Sequence, residues 1–296
     1  MFENKLMAGK RILITGGGTG LGRAMGEQLL ALGAELVICG RRRGVCEEAA
    51  AQLTAKHGGV VHAYGVDIRD AAAVDAMIED IFAKGALAGL INNAAGNFIS
   101  PTEALSPRGF DAIANIVMHG TFYVTHAVGK RWIASGWRPG QPMRSVVSIV
   151  VSWVENGGPY VVPSTMSKSA VVGMTKSLAI EWARHGIRLN AVGPGEIPTE
   201  GASKRLAPGV TPGTRSRENN PMGRPGEERE LANLVTFLLA DGCDWLTGQV
   251  MMMDGANYMA TGGNFYELRK WTPEQWQSAR AAIEEQNRKD RAQRTA

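Results

Sequence analysis

Apolar residues recur along this chain in two alternating rhythms. Short unbroken runs such as Ile12-Leu13-Ile14 give way to stretches whose apolar positions return at helical spacing. The runs read as buried strands and the longer stretches as amphipathic helices. The pattern predicts strands over residues 11–15, 35–39, 60–66, 88–92 and 187–192. It predicts helices over 21–32, 46–57, from an Asp70 cap to about 84, over 110–135 and over 163–185. Gly33 stands where a left-handed residue closes the first helix. Strands alternating with helices build a parallel sheet covered on both faces. The expected fold is therefore α/β, a single doubly wound, Rossmann-like parallel sheet. No repeat, low-complexity tract or linker divides the chain, so one domain over 1–296 is expected, with its core at 10–255. A long loop over 195–225 should form a lid, and 256–296 should form a helical tail. Thr272 and Gln275 have capping-box spacing, with Pro273 in the first turn. Trp271 and Trp276 are expected to dock that outer helix.

The chemistry begins at residues 15–22, which read T-G-G-G-T-G-L-G. They follow the first predicted strand and open the first predicted helix, the context that gives such a motif meaning. Gly16, Gly20 and Gly22 let the backbone turn tightly and approach a ligand with no Cβ in the way. The free N–H groups and dipole of the helix start favour an anion, and in an α/β sheet that anion is a dinucleotide pyrophosphate. Thr15, Gly16, Gly18, Thr19, Gly20, Leu21 and Gly22 are thus candidate cofactor contacts.

Composition narrows the partners. The chain has 296 residues, 44% hydrophobic content and a formal charge of +4. That charge tolerates phosphate-bearing ligands but is no footprint for nucleic acid. The longest charge-free apolar stretch, residues 146–154, is too short to span a bilayer, so no membrane partner is expected. The first ten residues lack an apolar h-region, and the last three are not S-K-L, so neither a signal peptide nor a peroxisomal address is expected. Cys39, Cys46 and Cys243 form no C-x-x-C pair, which argues against a zinc site or a disulfide framework. A reducing, cytoplasmic setting is the expectation.

A fold of this kind that prefers NAD carries Asp or Glu at the end of its second strand, for the ribose 2′-hydroxyl. Here the residues are Gly40-Arg41-Arg42-Arg43. Guanidinium groups pair with a 2′-phosphate, so Arg41 and Arg42 point to NADP(H); the alternative is a solvated basic turn. Asp67, with Ile68 beside it, is placed to meet the adenine. Asn92-Asn93-Ala94-Ala95-Gly96 should lie under the ribose and nicotinamide.

T-G-x-x-x-G-x-G followed by N-N-A-A-G resembles the short-chain dehydrogenase/reductase superfamily. Pro194-Gly195, with Ile197 close behind, is similar to that superfamily's P-G turn beside the nicotinamide, and Lys168 matches its active-site lysine. The resemblance covers residues 10–255. Residues 94–103 (A-A-G-N-F-I-S-P-T-E), 161–164 running into Ser167-Lys168, and 265–270 through Gln275-Trp276 resemble the mitochondrial-type 2,4-dienoyl-CoA reductases. This implies NADPH-dependent reduction of an unsaturated acyl-CoA thioester, with Asn97, Trp153, Ser164 and Lys168 as the catalytic set. Trp153 stands where that family is expected to have Tyr.

The superfamily's usual tetrad is Asn, Ser, Tyr and Lys. Its first three slots hold Val117, Val151 and Ser164 here, and only Lys168 remains. Ketone reduction needs a group to protonate the alkoxide. A Tyr next to a Lys does so; a Ser, with its higher pKa, does not. A conjugated thioester needs donors for its oxygen instead, and Asn97, Trp153 and Tyr160 are candidates. Trp153 is equally a wall for the acyl chain, and Ser164 equally a helix-start residue after Pro163. Lys204, Arg205, Arg215, Arg217 and Arg224 either meet the CoA phosphates or form a basic loop. His119 either faces the cleft or packs in a core or interface. Ile113, Ile116, Val117, Val124 and Val128 recur at helical spacing on the 110–135 helix, leaving one stripe for the sheet and another for a partner. With the resemblance, this predicts a homotetramer. Two other functions stay open: a related short-chain oxidoreductase on another substrate, and a catalytically silent NADPH-binding protein.

Overall fold

Each strand sorts its side chains by parity. Ile12 and Ile14 point to one side of the sheet and Leu13 to the other; Leu36 and Ile38 oppose Val37 and Cys39; Val147 and Ile149 oppose Val146. Side chains alternate across a strand, so residues apolar at every position must be covered on both faces. In this computed structural model, which describes residues 1–199, 211–260, 268, 270–279, 281, 285 and 288 (the Arg215 side chain excepted), that is the arrangement. The seven parallel strands are β1 (Arg11–Thr15), β2 (Glu35–Gly40), β3 (Val61–Gly65), β4 (Gly89–Asn92), β5 (Arg144–Ile149), β6 (Ile187–Pro194) and β7 (Val250–Met253). Their order is β3-β2-β1-β4-β5-β6-β7.

The helices are α1 (Gly20–Ala31), α2 (Arg43–His57), α3 (Ala71–Ala83), α4 (Pro107–Ala114), α5 (Thr121–Ala134), α6 (Trp153–Asn156), α7 (Val162–Trp182), α8 (Thr214–Asn219), α9 (Glu228–Leu239) and α10 (Asn257–Ala260). Leu29 of α1, Leu53 of α2 and Val235 of α9 pack on one face of the sheet. Ile78 of α3, Val128 of α5 and Trp182 of α7 pack on the other. Asp70 caps α3 as expected, accepting from Ala72 N and Ala73 N at 3.0 Å each. Among the described residues no helix is long and apolar enough to cross a membrane.

The helix over 110–135 and the end of β6 differ from the sequence expectation. The helix foreseen over 110–135 begins earlier, because Ser106 caps it through Gly109 N at 3.1 Å and Pro107 takes the first position. It is also interrupted by a π-helical turn, Asn115–Gly120. There Gly120 lies against Ile68 so closely that a Cβ would sit 2.7 Å from that side chain. β6 runs on through Gly193 and Pro194 because β7 pairs with it, Gly193 with Met252 and Pro194 with Met253. Neither β7 nor α9 was foreseen, although Glu227 and Glu230 complete a capping box before the apolar face of α9.

The chain divides into two compact units, Met1–Tyr258 and Met259–Ala296. Within the second, Gln275 N donates to Thr272 Oγ1 at 3.3 Å and Thr272 N to Gln275 Oε1 at 2.8 Å, the foreseen capping box. The rings of Trp271 and Trp276 lie 4.9 Å apart. Phe265, Tyr266, Glu267 and Arg269 lie outside the described residues, as do Lys204 and Arg205.

Candidate active site

The order of the strands reverses between β1 and β4, and in doubly wound sheets the crevice beyond the strand ends at that point takes the ligand. Thr15 closes β1 and is buried. Its Oγ1 accepts from Asn93 N and Ala94 N, both at 3.0 Å, and donates to the Ile91 carbonyl at 3.4 Å. Asn93 reciprocates, its Nδ2 donating to Thr15 O at 3.0 Å and Gly16 O at 3.3 Å. The ends of β1 and β4 are thereby clasped. Ala94 is half-buried and Ala95 exposed at the mouth of this clasp. Asn92 lies beneath it, donating to Thr125 Oγ1 at 2.8 Å and Ser148 Oγ at 3.3 Å.

The glycine loop needs its glycines for different reasons. Gly16 and Gly20 have φ of +67° and +50°. Gly22 is needed for space: a Cβ would stand 2.4 Å from Gly16 O and 2.5 Å from Asn93 Nδ2. Gly18 is buried on Cys46, and Leu21 packs partly into the core. Thr19 caps α1 with no side-chain hydrogen bond, and no acidic residue occupies the first turn, so the helix start is free for an anion.

At the end of β2, Arg41 and Arg42 are exposed and enter no ion pair among the described residues, whereas Arg43 is held by Glu47 at 2.7 Å. Asp67 is half-buried and grips Arg69 through Nη2 at 2.6 Å and Nε at 3.0 Å; this pairing holds its carboxyl below the usual carboxylate range. Ile68 beside it is buried.

Beyond β4, Asn97 is half-buried and its Oδ1 accepts from Phe98 N at 2.9 Å, which leaves the amide NH₂ as a free donor among the described residues. Ser100 N donates to the Tyr160 carbonyl at 2.9 Å and ties this loop to the one before α7. Trp153 opens α6, just past β5; its Nε1 is buried and has no hydrogen-bond partner among the described residues. Ser164 and Lys168 are buried one turn apart on α7. Lys168 Nζ donates to the Ile149 carbonyl, and burial pushes its pKa down to about 8. Pro194 ends β6 and is buried, and Gly195 N just past it donates to Met253 O at 3.0 Å. A Cβ on Gly195 would lie 2.6 Å from Asp254 Cβ. Ile197 is buried next to Gly226.

A profile described as enoyl-(acyl carrier protein) reductase matches residues 16–256. The chain belongs to the short-chain dehydrogenase/reductase family. Its relatives include a probable 2,4-dienoyl-CoA reductase of Caenorhabditis elegans, 39% identical over 96% of this chain and 92% of the relative. Another, a probable 2,4-dienoyl-CoA reductase of Bacillus subtilis, is 36% identical over 86% of this chain and 98% of its own. The solved gluconate 5-dehydrogenase of Burkholderia cenocepacia, in complex with NADP and tartrate, superposes with a TM-score of 0.79 at 29% identity, covering 86% of this chain and 98% of that one. The protein is an oxidoreductase of the short-chain type, and its sheet implies a nicotinamide cofactor.

Val117 is fully buried in the π-helical turn, Val151 is half-buried after β5, and the Ser164 hydroxyl makes no hydrogen bond among the described residues. His119 lines an outer groove with Met118, Phe122, Tyr123, Val171 and Met174. Of the loop cations, Arg224 is spoken for by Glu230, at 2.6 and 3.0 Å, and Arg217 by the Pro212 carbonyl at 2.9 Å. Sequence reasoning missed Glu196, whose carboxylate accepts from Gly213 N at 2.9 Å and Ser216 Oγ at 2.5 Å. Its main-chain oxygen also accepts from Gly226 N at 2.9 Å. An exposed Glu after a P-G turn carries no sequence signal for that role.

Proposed function

We propose that this short-chain oxidoreductase reduces a conjugated acyl-CoA thioester of the 2,4-dienoyl class, with NADPH as reductant. One observation carries the reading: at the carboxyl end of β5 the indole N–H of Trp153 is buried without a partner among the described residues. An unmade buried hydrogen bond costs about 1–3 kcal/mol, a cost removed when a ligand supplies the acceptor. The nucleotide fits the residues present. The open start of α1 suits a pyrophosphate, and Arg41 and Arg42 suit a 2′-phosphate. Lys168 suits the nicotinamide ribose, with Asn93, Ala94, Pro194, Gly195 and Ile197 around it.

When bound, the reduced nicotinamide supplies hydride to the far end of the conjugated system. The task of the chain is to hold the negative charge that then collects on the thioester oxygen. Asn97 Nδ2 and Trp153 Nε1 donate to that oxygen, and one well-placed donor of this kind contributes about 3–4 kcal/mol to the transition state. Neither gives up a proton at neutral pH, so water delivers the last proton. Ser164 holds its place in the first turn of α7 and is too weak an acid to serve a ketone substrate.

The same reading includes a homotetramer in a reducing compartment. The cleft of about 400 Å³ along α5 and α7 is lined by Met118, Tyr123, Val171 and Met174, with Phe122 exposed at its edge. Cys39, Cys46 and Cys243 are all buried free thiols. The competing reading, a silent NADPH-binding protein, is favoured by the absence of Tyr at positions 153 and 164. Anaerobic NADPH oxidation across a panel of enoyl- and dienoyl-CoA thioesters separates the two. Turnover is expected with the dienoyl substrates; NADPH binding with no turnover on any thioester would remove the thioester-reductase reading.

A further inference from the structure

Two consecutive glycines precede α7, and they are glycines for unlike reasons. Gly157 has φ +81°, and nothing lies within 4 Å of where its Cβ would be, so it is there for its backbone. Gly158 has no positive φ, so its backbone suits any residue. It is there for space. A Cβ on Gly158 would lie 2.9 Å from Trp153 Cδ1, 2.7 Å from Val161 Cγ2 and 2.9 Å from Thr165 Oγ1. Cδ1 is bonded to Nε1 in the indole ring, so it is the N–H edge of Trp153 that rests on the bare backbone of Gly158. The neighbours give little room: Val161 is buried, and Thr165 Oγ1 is held by the Val161 carbonyl at 3.3 Å.

We propose that Gly158 is a positioning residue that sets the direction of the Trp153 indole N–H, and that a two-ring donor at position 153 requires glycine at position 158. This rests on the reading of Trp153 as a donor to the thioester oxygen. A methyl group at 158 presses on the edge that carries the N–H. Hydrogen bonds weaken steeply as they bend, so a small rotation of the ring removes much of the stabilisation. The Tyr160 backbone, at φ +65°, and its carbonyl bond to Ser100 N keep the loop in the shape that brings Gly158 under the ring.

In protein labelled with ¹⁵N at tryptophan, Trp153→Phe identifies the Trp153 signal among the seven indole N–H resonances. Gly158→Ala is expected to shift that resonance, to lower kcat on a 2,4-dienoyl-CoA about tenfold or more, and to leave NADPH affinity within about twofold. In a Trp153→Tyr background the same change is expected to cost severalfold less, because the contacts with Val161 and Thr165 remain while a single ring can withdraw from the third. An equal loss in both backgrounds, or an unmoved Trp153 resonance, overturns the proposal. Should Gly158→Ala fail to fold, a folded Trp153→Tyr/Gly158→Ala double variant supports the proposal and an unfolded one overturns it. Native turnover by Trp153→Phe removes instead the donor reading on which the proposal stands, whatever Gly158→Ala does.

Discussion

Lys168 Nζ donates its hydrogen bond to the carbonyl oxygen of Ile149, the last residue of β5. The bond joins α7 to the strand end where the substrate is proposed to sit, and it leaves the ammonium buried. Burial lowers the Lys168 pKa from 10.5 to about 8. The folded-state pKa lies below the unfolded one, so the unfolded chain holds this proton more tightly between the two. The resulting penalty is fully present below pH 8 and is relieved as pH rises toward 10.5. Lys168→Met should therefore raise stability at pH 7, by at most about 3 kcal/mol, and much less at pH 10. Denaturant unfolding at the two pH values checks the sign. In the native protein kcat/KM should fall as pH rises through about 8, where the charge is lost. Lys168→Ala should weaken both NADPH binding and rate.

Arg41 and Arg42 stand exposed and without ion pairs among the described residues at the end of β2. Arg41→Glu should weaken NADPH roughly ten- to a hundredfold while leaving NADH nearly unaffected, since charge-assisted contacts contribute about 1.5–3 kcal/mol. Titration of both cofactors by fluorescence tests this. Equal affinity for NADPH and NADH in the native protein would sink the assignment.

Asn97 Oδ1 is engaged by Phe98 N, and its NH₂ has no partner among the described residues. Asn97→Ala should slow dienoyl-CoA reduction by roughly 10²–10³ with NADPH binding intact. Single-turnover kinetics separate this from a binding defect, and unchanged chemistry would rule Asn97 out as an oxyanion donor.

Gly22 is the tightest point of the nucleotide loop, with a virtual Cβ 2.4 Å from Gly16 O. Gly22→Ala must separate α1 from the β1 end, so NADPH affinity should drop at least about tenfold and stability by roughly 1–3 kcal/mol. Retained affinity would mean that the loop does not hold the pyrophosphate.

The apolar groove along α5 and α7 predicts a homotetramer at micromolar concentration by light scattering. A monomer there would refute it.

Much of this architecture is legible in the sequence. The parity of Ile12-Leu13-Ile14 and the caps at Asp70 and Thr272 act within a few residues, so local sequence carries them. The glycine loop was legible for the same reason, since positive φ at Gly16 and Gly20 is a local demand. The end of β6 was not, because Gly193 and Pro194 are strand only through β7, far along the chain.

The sequence by itself determined most of the parallel sheet and the glycine turn between β1 and α1, because periodicity and short motifs encode interactions between near neighbours. Only the tertiary structure decided which donors at the site are free. Trp153 keeps its N–H because nothing at hydrogen-bonding distance among the described residues accepts it. It also decided that Lys168 is buried against Ile149 and that Gly158 carries the edge of an indole. Partnership and burial depend on groups brought together from distant parts of the chain, and no local pattern records them.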